Sequence, residues 1–254
     1  MTMQTDRRLM DRLTLIALCC GLSTFLAFSA PASATRLDDA KAAIEAGKFD
    51  EAAAIYKDLS DQGDAKAQYN LGQMHYYGDG VKQDYQEAIR LYRLSANQGF
   101  SDAQYSLGVI YFTNKVTPPD YDESIRLYRQ AAEQGHIKSQ LNLGLIYLKG
   151  EVVPQDYTAA REWLTRAAEQ GNGEAQFDLG NMYLHGDGME EDLVHGYMWV
   201  ALAADQERHK QDTPGSIAKR QTLLRLLDFR MTPEQVAEAT RSASNCQARQ
   251  LKGC

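Results

Sequence analysis

GDAKAQYNLGQMHYYGDGVKQDYQEAIRLYRLSANQ, residues 63–98, is repeated down the chain, with copies beginning at Gly99, Gly135 and Gly171, each 36 residues after the last. A second set of markers keeps the same step: Gly72, Gly108, Gly144 and Gly180, and Asp84, Asp120, Asp156 and Asp192. A fixed period of this size marks an array of one supersecondary unit, each copy burying the apolar face of the next.

Each copy reads as two helices. In the first copy the leading helix spans roughly 64–77 and stops at Gly78-Asp79-Gly80, where glycine supplies the left-handed backbone of a helix exit. Asn114 keeps that exit feasible in the second copy, where Asn114-Lys115-Val116 replaces the glycine turn. The second helix spans roughly 85–98, with Asp84 at its N-cap. Leu71, Gly72 and His75, with their equivalents in each copy, form one stripe, and Ala88, Leu91, Tyr92 and Ala96 pack against it. The glycine of that stripe allows close approach of the partner helix. His75 stands where the other copies have Tyr111, Tyr147 and Tyr183, and Tyr69, Tyr76, Tyr105 and Tyr128 read mostly as core.

Outward from the repeats, residues 36–62 form a partial copy that caps the array, and 63–98, 99–134, 135–170 and 171–206 are the four units. Residues 207–254 form a closing cap: a helix near 216–229, then one opened by Thr232-Pro233-Glu234-Gln235, with Thr as N-cap and Gln three residues on. The fold class is all-α, an α-solenoid of antiparallel helix pairs with C-terminal capping helices.

Residues 1–34 read as a secretory signal: Arg7, Arg8 and Arg12, an apolar run from Leu13 to Phe28, then an A-x-A site ending at Ala34. Its removal takes away three Arg and two Asp and moves the formal charge from −7 to −8. The mature protein is then exported, periplasmic or secreted, with no membrane span. Cys246 and Cys254 are the cysteines left, and in an oxidising compartment they can close a small loop or remain free. The acidic balance excludes nucleic acid as partner, since such binders concentrate basic charge on one face. Arg90, Arg93, Arg126 and Arg129 recur as a basic ridge, but Glu87, Asp122 and Glu123 between them make it a solvated helix face.

The motifs AQYNLG (67–72), AQYSLG (103–108), SQLNLG (139–144) and AQFDLG (175–180), with AAEQG at 131–135 and 167–171, resemble the signature of Sel1-like repeats. The likeness covers about 36–204 and implies a right-handed superhelix akin to tetratricopeptide arrays, used for protein–protein contacts, with no conserved catalytic residue. Some exported members carry a β-lactamase label, but those have paired cysteines in every repeat, which this chain lacks.

A hydrolase acting on cell walls or β-lactams is the alternative reading. Ser216-Ile-Ala-Lys219 matches S-x-x-K, in which the lysine one turn on takes the serine proton. The companion S-D-N and K-T-G elements are missing, so Ser216 reads as a helix N-cap beside a solvated lysine. The histidines (His75, His136, His185, His195, His209) form no i,i+4 pair, and His185 with Asp187 reads as a turn. No catalytic residue, metal or cofactor is therefore expected.

Recognition should lie where copies differ and face away from the core: Lys66, Asn70, Gln73 and Tyr77; Asp102, Ser106, Val109 and Thr113; Lys138, Asn142, Leu145 and Lys149; Glu174, Asp178, Asn181 and His185. Val109 and Leu145 are apolar in a row where Gln73 and Asn181 are polar. The candidate groove for a protein or peptide partner is Gln73, Tyr77, Val109, Leu145, Lys149 and Asn181. The competing reading has Val109 and Leu145 packed on a neighbouring helix.

Overall fold

The computed structural model describes residues 32–113, 116–205 and 213–254. Residues 1–31 of the expected signal (1–34), the Asn114 turn and His209 lie outside the described residues. Twelve helices and no strand are present among the described residues: α1 (Ala32–Glu45), α2 (Phe49–Asp61), α3 (Ala65–Tyr77), α4 (Tyr85–Asn97), α5 (Ser101–Phe112), α6 (Tyr121–Glu133), α7 (Ile137–Lys149), α8 (Tyr157–Glu169), α9 (Gly173–His185), α10 (Leu193–Ala203), α11 (Pro214–Arg230) and α12 (Pro233–Ala248). Consecutive helices pack on one another from α1 to α11, and α12 packs on α10, giving an all-α solenoid of helix pairs.

The period acts through its caps. Asp84, Asp120, Asp156 and Asp192 each accept a first-turn amide hydrogen, from Glu87, Glu123, Ala159 and His195 in turn. Their own amides donate back to the carbonyls of His75, Tyr111, Tyr147 and Tyr183 on the preceding helix. Each aspartate therefore starts one helix and ties it to the end of the other. Gly78 leaves α3 with φ +84°, the left-handed exit that glycine makes without steric cost.

Within a pair, helix approach is set by one position. A Cβ on Gly108 would lie 2.6 Å from the Tyr128 ring, so the α6 tyrosine rests directly on the α5 backbone. Between pairs, a buried glutamine reaches back: Gln104, Gln140 and Gln176 donate to the carbonyls of Ala96, Ala132 and Ala168 at 3.4, 3.0 and 3.0 Å. Those carbonyls sit in the last turn of the preceding helix, where intrahelical partners run out.

Two boundaries differ from expectation. Helix α1 begins at Ala32, ahead of residue 36 where the partial copy is expected to start, because Ala-Ser-Ala-Thr contains nothing that stops a helix. Helix α11 begins at Pro214 with Thr213 as N-cap, so Ser216 is not the cap. Its hydroxyl donates instead to the Thr213 carbonyl at 2.8 Å. Lys219 is exposed, as expected, and its Nζ stands 4.9 Å from the centroid of the Phe177 ring. Thr232 and Gln235 form the capping box that opens α12. Arg220, buried on α11, donates to the Ala203 carbonyl at the end of α10, taking the place that glutamine has in the repeats. Cys246 is bonded to Cys254, with Cα atoms 5.6 Å apart, and the hook between them sets Leu251 into the core of α8–α10.

Candidate functional site

The leading helices of the four repeats, α3, α5, α7 and α9, carry the rows in which the copies differ. A spacing of four, three and four residues puts each row on one stripe of its helix. The stripes of α3, α5 and α7 face a common surface, because residues of all three line one cavity of about 680 Å³. Gln73 and Tyr77 of α3, Ser106 and Val109 of α5, and Lys138 of α7 stand around it.

A second cavity of about 340 Å³ lies between α5 and α7, lined by Val109, Leu145 and Lys149 together with Phe112 and Asn142. Val109 and Tyr105 border both cavities, so the two are adjacent. Val109 and Leu145 are each half-buried. Each also leans on a core cluster, Val109 on that of Tyr128 and Leu145 on that of Leu141, so groove and packing are both true of them. Tyr77 is 64% exposed beside them. Five of the six candidate residues are brought together. Asn181 lies outside both cavities, and its carbonyl faces Nδ1 of His185 at 2.9 Å.

Tyr69, Tyr76 and Tyr105, expected mostly as core, line the larger cavity and are only half-buried. Tyr128 is the one of that group in the core proper. The missed signal is Phe100 and His136, aromatic residues that precede α5 and α7. Tyr69 packs on Phe100 with ring centroids 5.2 Å apart, and Tyr105 on His136 at 4.7 Å. Each tyrosine thereby bridges neighbouring repeats and leaves an edge toward the groove.

Two titratable groups on this face are displaced from ordinary behaviour. Burial raises the Asp178 carboxyl to about 6, the nearby Glu174 adds to the rise, and Lys219, Arg220 and Lys149 oppose it. Burial pulls His136 below its usual value, against the opposing Asp102 carboxylate 3.3 Å from Nε2. His136 Nδ1 accepts from the Ser139 amide at 3.2 Å and so caps α7.

The arginine ridge is paired with neighbouring side chains. Arg90 and Arg126 each make paired hydrogen bonds to Glu87 and Glu123, at 2.7 and 2.6 Å. Arg93 and Arg129 donate to the tyrosine hydroxyls of Tyr111 and Tyr147 in the next repeat, at 2.5 and 2.7 Å. Arg93 and Arg129 thus serve as struts between repeats, while Arg90 and Arg126 pair within their own helices. His185 is held by its own helix, and no cluster of three metal-ligating residues occurs among the described residues. No helix among them is long and apolar enough to cross a membrane.

Stacked helix pairs with adjacent cavities along their leading helices define a helical repeat scaffold. Residues 65–100, 101–136, 137–172 and 173–207 each match the model of the Sel1 repeat, and the chain belongs to the Sel1 repeat family. Proteins of this family serve in general as protein-interaction scaffolds, typically without catalysis. Among solved structures, a Sel1 repeat protein from Oxalobacter formigenes is 26% identical with a TM-score of 0.70, covering 84% of this chain and 88% of that one. A protective antigen of uropathogenic Escherichia coli is 23% identical, TM-score 0.47, covering 80% of this chain and 58% of that one. An immunity protein from Pseudomonas aeruginosa is 18% identical, TM-score 0.49, covering 82% of each chain. No curated protein matches the chain.

Proposed function

We propose that the chain is an exported, non-catalytic scaffold of the bacterial cell envelope that holds a protein or peptide partner on its inner face, in regulation or assembly. The supporting observation is the shared cavity between α5 and α7, where Val109 and Leu145 present apolar surface beside Lys149 and Asn142. Apolar anchors in a partly desolvated pocket, ringed by polar groups, are the usual energetic centre of an interface. Export rests on the signal-like residues 1–34. The hydrolase reading loses support from Ser216, whose hydroxyl is tied to its own first helical turn.

The test is the double change Val109→Asp, Leu145→Asp. Helical content and melting stay near wild type, because both residues are only half-buried, while crosslinked partner recovered from the periplasmic fraction disappears. Undiminished recovery would sink the inner-face reading.

A further inference from the structure

The second residue of each leading helix opens the row in which the copies differ: Lys66 on α3, Asp102 on α5, Lys138 on α7 and Glu174 on α9, with Asp102 and Lys138 lining the larger cavity. Charge alternates down the array, plus, minus, plus, minus. Local helix physics does not produce this pattern. The first turn of a helix favours an acid at all four places, so Lys66 and Lys138 run against the helix dipole. A lateral ladder does not produce it either: among the described residues none of the four pairs with another. Asp102 faces His136 at 3.3 Å, and Lys138 lies 6.0 Å from the centroid of the Tyr105 ring. Lys66, Lys138 and Glu174 are exposed.

We propose that the occupant of the inner face is a second copy of this chain, docked about a two-fold axis that runs parallel to the helices between α5 and α7. This takes the inner face as the binding surface, as proposed above, and names its partner. Such an axis reverses the order of repeats while keeping position along each helix. It therefore sets Lys66 against Glu174 of the second copy and Asp102 against Lys138, each pair occurring twice. The same operation treats the other rows alike. Gln73 meets Asn181, amide against amide, and Val109 meets Leu145, apolar against apolar. Tyr77 meets His185. A two-fold interface must be self-complementary residue by residue, and these rows satisfy that in sign and in polarity. A partner docked in the same order of repeats would instead set like charges together at every position.

The measurement is light scattering on size-exclusion chromatography of the purified protein, at roughly 50 µM so that mass action favours a weak dimer. A dimer mass is expected, falling toward monomer in high salt as the charge pairs are screened. Lys66→Glu and Glu174→Lys each place two like-charge pairs in the interface, and each weakens dimerisation at least tenfold. Mixing the two variants in equal amounts restores every pair to opposite charge, and a heterodimer forms. Both residues are exposed at helix starts, and unchanged circular dichroism confirms that each variant folds. A monomeric wild type overturns the assignment, as does a dimer indifferent to both reversals, or a mixture that stays monomeric. Failure here is distinct from failure of the inner-face reading. A monomeric wild type whose captured partner is lost on Val109→Asp, Leu145→Asp keeps the face and rejects only the second copy.

Discussion

The Gln170 side chain donates to the side-chain oxygen of Gln140 at 2.7 Å, joining the end of α8 to the middle of the repeat junction. Gln140 donates onward to the Ala132 carbonyl, so one buried amide satisfies groups on two other helices. Gln98–Gln68 and Gln134–Gln104 repeat the same geometry at 2.8 Å. The apolar Gln140→Leu removes both links, although the Ala132 carbonyl keeps the Gly135 amide and the exposed Gln170 amide can turn to water. A loss of about 1–2 kcal/mol is expected, the net worth of the hydrogen bonds removed. Urea unfolding measures it, and a change below about 0.5 kcal/mol would show that packing alone joins the repeats.

Asp178 sets a pH dependence of unusual sign. Its folded carboxyl titrates at about 6, above the value of about 4 in an unfolded chain. Between those values the native state binds the extra proton, so its contribution is favourable at low pH and is lost as pH rises through about 6. Asp178→Asn keeps the shape without the charge. It should raise stability by on the order of 1–2 kcal/mol at pH 7.5 and by nothing below about pH 4. Thermal melts of both proteins across that range decide it, and a gain that does not vary with pH would reject the assignment.

The tail hook is the third test. A disulfide closing a loop of this size restricts the unfolded chain by about 2–3 kcal/mol in the loop-entropy view. Cys254→Ser should lower the melting temperature by several degrees and abolish any response to dithiothreitol, whereas wild type drops to the same level on reduction. Release of Leu251 from the core of α8–α10 adds to the loss. Equal melting of oxidised and reduced wild type would mean that α12 docks without its hook.

The repeat, the helix ends and the fold class were legible in the chain because their causes are local. Asp84 and its equivalents accept amides two or three residues on, Gly78 turns its own helix exit, and Gly108 needs only to be small. These act within a few residues of themselves, and the 36-residue period displays them four times.

What the tertiary structure decided is which neighbour each side chain meets. Tyr69 and Tyr105 have the composition of core, yet Phe100 and His136 arrive beside them and turn them into groove walls. Asp178 occupies the place of Asn70, Ser106 and Asn142, but α11 closes over it and burial shifts its carboxyl. Ser216 carried a nucleophile's spacing until Thr213 took the cap. Val109 and Leu145, 36 residues apart, became one cavity because α5 and α7 lie side by side. Helix formation follows from each copy's own residues. Burial is a property of pairs of helices, and only the packed array assigns it.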